Sequence, residues 1–295
     1  MTLEVEKTST RRSGDATTTP SPSQVERRML TRERKRRRLE LLAGVATPIL
    51  LLALWELLSR TGVLNPRLFS SPLLVVQAAG RLIADGSIGW DILATVQRLV
   101  IGFVIGAVVG VALGLVLGVS RFLRAALNPT LSALYAVPKI AVLPLLLLLF
   151  GLGDVPLIIM VFFGVVFPVF ISTESGVRNL DPQLIEAGKA CGARGLTLFL
   201  RVILPGSLSE IFAGLKVAAG LGTVVIIAAE FVSSNDGLGQ LIWNSWTLLQ
   251  PGPMFVGIVV VAVLGAVFIQ LITLLERLLV PWRSGASVRR RRVAR

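Results

Sequence analysis

The chain has 295 residues, of which 54% are hydrophobic and only 16% charged, with a formal charge of +13 and a mean hydropathy of +0.77. Water-soluble domains carry about 25% charged residues, so this composition indicates a polytopic membrane protein. The sequence has no histidine and one cysteine, Cys191. Without the commonest general base and metal ligand, a Ser–His hydrolase or an intramembrane metalloprotease is a poor interpretation. We expect no catalytic residue, no metal site and no cofactor.

The positive charge is concentrated at the two ends of the chain. Residues 1–38 are rich in Thr, Ser, Pro and Arg and end in TRERKRRR, and residues 284–295 end in VRRRRVAR. Both stretches are predicted to be basic cytoplasmic tails, and the first to be disordered. An apolar run follows the first tail at once, which favours a topogenic anchor over nucleic-acid binding. The length of that tail also argues against a signal peptide.

Six apolar runs are each long enough, at 1.5 Å per residue, to cross a hydrocarbon core of about 30 Å. They cover residues 39–59, 96–119, 130–151, 155–173, 211–232 and 254–279. The predicted fold is therefore an all-α polytopic membrane protein with six transmembrane helices in one membrane domain, residues 39–283. Between the runs we expect a helix starting at Ser71-Pro72, a basic turn at 120–129, and a turn at 235–237 followed by a short helix.

Five glycines recur every fourth residue in the second run, namely Gly102, Gly106, Gly110, Gly114 and Gly118. On a helix they form a slowly winding groove without side chains, which lets another helix approach closely. The groove favours tight packing inside the bundle, with a dimer seam as the alternative.

The distribution of lysine and arginine predicts the orientation of the spans. If both termini are cytoplasmic, the inner segments carry 24 of these residues and the outer segments carry 4, which are Arg60, Arg67, Arg81 and Arg98. This excess follows the positive-inside rule. The polar insert between the fourth and fifth runs, residues 178–207, is therefore predicted to be cytoplasmic.

The sequence contains no G-x-x-x-x-G-K-[S/T] phosphate loop, so it has no recognisable ATP site. A gradient-driven carrier usually needs carboxylates deep in the membrane. The carboxylates assigned to the spans, Glu56, Glu230 and Glu276, all lie toward span ends. Both observations favour an energy-supplying partner over a stand-alone carrier or channel.

Within the polar insert, Glu186-Ala187-Gly188, Gly192 and Leu204-Pro205 follow the spacing E-A-A-x3-G-x9-I-x-L-P. This pattern resembles the signature of permease subunits of binding-protein-dependent ABC importers. Two positions depart from it, because Gly188 replaces the third alanine and Val202 replaces isoleucine. The resemblance runs from about residue 93 to 279. The stretches PKIAVLPLLLLLFGLG, AAEF and GLGQLI are similar to the branch that imports sulfonates, taurine, nitrate or bicarbonate.

The resemblance implies a type I importer permease in a prokaryotic plasma membrane. It implies that residues 178–207 form a coupling loop whose short helix docks on an ABC ATPase subunit. The docking residues would be Glu186, Ala187, Gly188, Gly192, Leu204 and Pro205. The sequence itself favours a helix over 182–191 that begins at Asp181-Pro182 and ends at Gly192. A second short helix over 197–203 is expected to end at Pro205.

The resemblance also implies an extracytoplasmic solute-binding protein, a permease homodimer and a small, anionic solute. Three residues are candidates for the pathway: Lys139, Lys216 and Glu230. Lys139 lies inside a span and could favour an anion, with snorkelling or structural pairing as the alternative. Snorkelling is the expectation for Lys216, and Glu230 is expected to orient the outer loop. A vitamin precursor or an aromatic carboxylate is the alternative solute.

Overall fold

The computed structural model of the chain describes residue 40 and residues 43–44, 46–63, 65 and 68–282. The predicted basic tails, 1–38 and 284–295, lie outside the described residues. The chain divides into two compact units, residues 1–57 and 58–295. Of the first unit, the main described part is helical, over residues 46–57. This helix is α1, and residues 58–60 continue it.

The regular elements described in the second unit are all helical, which agrees with the predicted all-α class. In chain order they are α2 Pro72–Ala84, α3 Ser87–Val119, α4 Arg121–Ala136, α5 Lys139–Phe150, α6 Asp154–Arg178, α7 Pro182–Ala190, α8 Gly195–Leu198, a π-helical turn Phe199–Ile203, α9 Leu204–Ser233, α10 Leu238–Thr247 and α11 Pro251–Leu279. The predicted start of α2 is confirmed, since Ser71 Oγ accepts a hydrogen bond from the Leu74 amide. The predicted helix after the turn at 235–237 is α10.

The glycine groove of α3 packs against α6 within the chain. A Cβ atom placed on Gly102 would lie 2.6 Å from the Cβ atom of Val161, and one on Gly118 would lie 2.6 Å from that of Val177. The three glycines between them face Val165, Val169 and Thr173 in the same order. Both sequences advance four residues per contact, so α3 and α6 run parallel with β-branched side chains seated in the groove. The expectation of packing inside the bundle is confirmed.

The long helix α9 runs in the opposite direction to this pair. Gly214 of α9 lies against Ser172 of α6 and Gly222 against Val165, so α9 is antiparallel to α6. The fully buried core lies where α3, α6 and α9 meet and includes Leu99, Leu157, Met160, Val161, Ala218, Ala219 and Ile226. Two ends of the bundle follow from this arrangement. At the Arg98 end, α3 and α6 begin and α9 ends. At the Arg178 end, α3 and α6 end and α9 begins.

The predicted third span is not one straight helix. It is divided into α4 and α5, which meet at an angle of 88°. The break lies at Val137, which is extended, and Pro138, which follows it. Proline disfavours the helical conformation of the residue before it and provides no N–H for the helix. The predicted basic turn at 120–129 is also wrong. Ser120 caps the start of α4, and residues 121–129 are helical.

Four of the described helices are long and apolar enough to cross a membrane, or five if the bent pair counts as one span. They are α3, α6, the continuous helix Gly195–Ser233, and α11. Residues 39–59, the predicted first span, fall partly outside the described residues. Six spans therefore stay a prediction, as does the placement of both termini in the cytoplasm.

Candidate functional site

The predicted docking helix is α7, at the Arg178 end of the bundle. Asp181 begins it by accepting a hydrogen bond from the Gln183 amide at 2.9 Å, and Pro182 occupies the first turn. A carboxylate at this position also interacts favourably with the helix dipole. No residue of α7 is buried. Glu186 and Ala187 are exposed, as a docking surface requires.

The end of α7 is a Schellman motif built on Gly192. The Gly192 amide donates to the Lys189 carbonyl at 2.9 Å, and the Ala193 amide donates to the Gly188 carbonyl at 3.0 Å. Gly192 has a φ of +83°, which L-residues with a side chain rarely adopt. The predicted helix end at Gly192 is confirmed. Gly192 thus sets the direction of the chain after α7, rather than contributing a side chain.

The two positions that depart from the family pattern lie against each other. A Cβ atom on Gly188 would lie 2.8 Å from Val202 Cγ2 and 3.1 Å from Leu198 Cδ1. The helix α7 therefore rests on the π-helical turn, with glycine allowing the close approach. No spacing argument could have shown that these residues are in contact.

Leu204 and Pro205 differ from the other predicted docking residues. Both are half-buried and lie inside the continuous helix 195–233. The prediction that Pro205 ends a short helix is wrong. The preceding π-helical turn carries a hydrogen bond from the Leu204 amide to the Phe199 carbonyl. This wider turn relieves the clash that proline otherwise makes with the carbonyl four residues earlier.

The three pathway candidates are not brought together. Lys139 lies at the bend between α4 and α5, where its Nζ donates to the Tyr135 carbonyl. The same atom lies 4.4 Å from the centre of the Tyr135 ring and 5.4 Å from that of Phe167. It borders a pocket of about 210 Å³ whose lining is otherwise apolar, made by Leu134, Val137, Val142, Phe163 and Phe167.

Lys216 has an ion-pair partner inside the bundle. Its Nζ forms an ion pair with Glu276 of α11, whose side chain is buried. A lysine that meets a buried carboxylate within reach has no need to extend to the interface. This pair joins α9 to α11 toward the Arg178 end of the bundle.

Glu230 belongs to a polar cluster that the sequence did not predict, with a buried centre and two exposed acids at its rim. Its partner is Arg98, which the charge count had treated as an outer loop residue. Arg98 Nη1 donates to Glu230 Oε1 at 3.0 Å, and Nε donates to Asp154 Oδ1 at 2.7 Å. Nη2 is paired with Asp236. We name Arg98, Asp154, Glu230 and Asp236 the Arg98 cluster; it connects α3, α6, α9 and the turn after α9.

Glu230 also organises that turn. The fully buried carboxylate accepts a hydrogen bond from the Gly239 amide at 2.8 Å and one from Thr95 Oγ1 at 3.0 Å. Thr95 in turn accepts from the Leu238 amide at 2.9 Å. The start of α10 is therefore held by α3 and α9 together. To predict this cluster from the sequence, Arg98 would have had to be paired with an acid far along the chain.

The described residues contain no group of three or more His, Cys, Asp or Glu arranged to hold a metal ion. The arrangement offers instead an exposed helix at one end, a long helix that leads away from it, and a polar cluster at the other end.

Comparison with known proteins agrees with this arrangement. Residues 102–280 match the family model described as "Binding-protein-dependent transport system inner membrane component". SsuC of Escherichia coli (strain K12), named as an aliphatic sulfonates transport permease, is 40% identical over 235 residues, which cover 80% of this chain and 89% of SsuC. The nitrate import permease protein NrtB of Leptolyngbya laminosa is 31% identical over 240 residues, covering 78% of this chain and 85% of NrtB.

A solved structure extends the comparison to the fold. One chain of the inward-facing MetNI methionine ABC transporter superposes with a TM-score of 0.57 at 18% identity, covering 64% of this chain and 94% of that chain. The expected resemblance, including the sulfonate and nitrate branch, is confirmed. By the extent of the family match and the identity to SsuC, the chain belongs to the family of inner membrane components of binding-protein-dependent transport systems.

Proposed function

We propose that the chain is the permease subunit of an ABC importer, which forms the pathway for a small anionic solute and takes its energy from a partner ATPase. The observation that carries this proposal is the exposed helix α7, held at both ends and seated on the start of the continuous helix 195–233. The family description adds a solute-binding protein as the partner that delivers the solute.

The continuous helix supports a mechanism of coupling. At about 1.5 Å per residue, its 39 residues extend roughly 58 Å. Val202 near its start touches the docking helix, and Glu230 near its end holds the turn before α10. A push on α7 by the ATPase would therefore reach the opposite end of the bundle through one packed element. Alternating access would follow, with the permease working as a homodimer.

The anionic solute rests on two supports. The relatives are named for aliphatic sulfonates and for nitrate, both anions. Lys139 provides a cation at the bend of α4 and α5, beside a pocket lined by aromatic and aliphatic side chains. An apolar wall and one cation suit a short alkyl sulfonate.

The test is uptake by the permease reconstituted with its ATPase and binding protein, using ethanesulfonate, nitrate and benzoate as probes. Gly192→Asp places a strained side chain at φ +83° on the docking surface. It should abolish ATP-dependent uptake while the protein remains in the membrane. Gly86→Asp is the matched control, because Gly86 has a φ of +71° and also has open space around it.

Normal uptake and normal ATPase copurification in Gly192→Asp would overturn the coupling role of this loop. ATP-independent uptake by the permease alone would favour a stand-alone carrier. Preference for benzoate would favour the aromatic carboxylate alternative.

A further inference from the structure

Three arginines from two helices converge on one pocket at the Arg178 end of the bundle. The pocket has a volume of about 600 Å³ and is lined by Arg121, Arg124, Ala125, Asn128, Pro129, Ser132 and Arg178. The convergence follows from the topology: α3 and α6 are parallel, so α4, which begins where α3 ends, starts beside the end of α6. Residues from two distant parts of the chain thereby face the same space.

Positive charge in this pocket exceeds negative charge. Arg178 Nη1 lies 3.5 Å from Glu174 Oε1, and Glu174 is buried behind it. Across the described part of the chain, Arg121 and Arg124 form no ion pair, although Arg124 Nη1 donates to the Gly118 carbonyl at 3.4 Å. Three guanidinium groups therefore line this pocket, and the nearest carboxylate is that of the buried Glu174.

The start of α4 adds to this positive potential. Arg121 and Phe122 are its first two residues, and the Ser120 hydroxyl caps only the Leu123 amide. The first backbone N–H groups of a helix carry partial positive charge and are natural donors to an anion. Here they coincide with two arginine side chains of the same helical turn, so the dipole and the side chains act in the same direction.

A polar group on the pocket wall is also incompletely satisfied. Asn128 Nδ2 donates to Glu174 Oε1 at 3.4 Å, while Asn128 Oδ1 is buried and accepts no hydrogen bond from any described residue. A buried acceptor without a donor costs about 1–3 kcal/mol. Ser132 adds a hydroxyl to the same wall.

We propose that this pocket binds a tetrahedral oxyanion, phosphate or sulfonate, through Arg121, Arg124 and Arg178. The planar guanidinium fork matches the paired oxygens of such groups. A volume of about 600 Å³ exceeds that of a bare ion and accommodates a phospholipid headgroup or a small organic sulfonate. Basic pockets between membrane helices on the cytoplasmic side recognise anionic headgroups by the same chemistry. Arginines that serve only to orient a membrane protein act through their number on one side of the membrane. Their convergence on one pocket is not needed for that role.

The test compares the full-length chain, purified with its ATPase partner, with the double variant Arg121→Gln/Arg124→Gln. Arg178 is left in place, because its removal would strand the buried Glu174. Arg277→Gln is the matched control, since it removes an arginine from α11 at the same end of the bundle. Retention of phosphatidylglycerol against phosphatidylcholine is measured by mass spectrometry in detergent. Thermal melting is measured with sodium phosphate, sodium sulfate or ethanesulfonate.

A headgroup site predicts phosphatidylglycerol retention that falls at least tenfold in the double variant, is unchanged in Arg277→Gln, and resists millimolar phosphate. A site for a free oxyanion predicts no selective lipid retention, but a rise in melting temperature with sulfate, phosphate or ethanesulfonate that the double variant loses. The proposal is overturned if neither class of probe binds, or if Arg277→Gln loses binding as much as the double variant. Because no solute-binding protein is involved, failure here is distinct from failure of the proposed import function.

Discussion

Arg98 Nη1 lies 3.0 Å from the buried carboxylate of Glu230, although the two residues are 132 positions apart in the sequence. Both side chains are almost fully removed from solvent, with 7% and 0% of their surfaces exposed. Breaking a buried pair by removing one partner costs about 3–5 kcal/mol, because the remaining charge stays buried without a partner. The pair therefore fixes the relative position of α3 and α9 at this end of the bundle.

Arg98→Gln should accordingly destabilise the purified protein by about 3–5 kcal/mol. The effect would be seen as a lower temperature for the loss of monodisperse protein on heating in detergent. Asp236→Asn is the control at the rim of the same cluster. Its side chain is 56% exposed, and Arg98 would keep Asp154 and Glu230 as partners. We expect a much smaller effect there. A wild-type melting curve for Arg98→Gln would contradict the structural importance of the pair.

The sequence predicts where helices begin and end better than it predicts which residues are in contact across the fold. The capped starts of α2 and α7, the end of α7 at Gly192 and the helix α10 follow from local chemistry, because caps, proline and glycine act over a few residues. The Arg98 cluster does not, because nothing near Arg98, at the start of the predicted second span, indicates which acids it pairs with. Its acids come from α6, α9 and a turn, and only the packing of these elements brings them together.

The broken span shows a different limit. Val137-Pro138 carries a local signal for a helix break, yet the apolar run around it is long enough for one span. Periodicity and length cannot decide between a kinked helix and two helices at 88°. The glycine groove was readable as a packing surface, but its parallel partner was not. That orientation depends on the chain returning through α4 and α5 before α6 begins.

The close packing of α3 against α6 predicts that adding a single methyl group in the groove lowers the stability of the protein. In Gly102→Ala the new Cβ would lie 2.6 Å from Val161 Cβ and 2.7 Å from the Ile158 carbonyl oxygen. Neither atom can move without shifting α6, so we expect a loss of about 1–3 kcal/mol. Gly89→Ala in the same helix meets nothing within 4 Å and should be neutral or slightly stabilising.

Thermal unfolding of both variants in the same detergent checks this prediction. The comparison is internal, because each substitution adds one methyl group to α3 and improves helix propensity equally. Equal melting temperatures for the two variants would mean that the groove is not closely packed in the membrane-extracted protein.

The contact of Gly188 with Val202 predicts a compensating pair in the coupling loop. Gly188→Ala places a Cβ 2.8 Å from Val202 Cγ2, and the stiff β-branched valine has little freedom to turn away. The helix α7 should shift on the π-helical turn, and ATPase copurification should fall severalfold. Val202→Ala should restore it in the double variant, since it removes the methyl group that clashes. Failure of Val202→Ala to restore binding would place the cause elsewhere, for instance at the docking surface itself.

Lys139 can serve the fold or the pathway, and the two roles predict different results. Its Nζ donates to the Tyr135 carbonyl near the end of α4, where helix carbonyls lack partners, and it lies over two aromatic rings. If the role is structural, Lys139→Gln should lower the melting temperature and leave uptake per folded molecule unchanged. If the role is in the pathway, Lys139→Gln should reduce ethanesulfonate uptake about tenfold or more, with normal melting and normal ATPase copurification.

We expect the second result, because the Lys139 side chain borders an open apolar pocket in which a mobile anion would find no other cation among the lining residues. Lys139→Arg should retain most of the uptake, since arginine keeps the charge and its guanidinium group can also stack on aromatic rings such as those of Tyr135 and Phe167. Lys216→Gln is the matched control: it removes a lysine that is already paired with Glu276, so it should affect stability and not anion preference. Anion uptake that survives in Lys139→Gln but fails in Lys216→Gln would reverse the assignment and move the pathway toward α9 and α11.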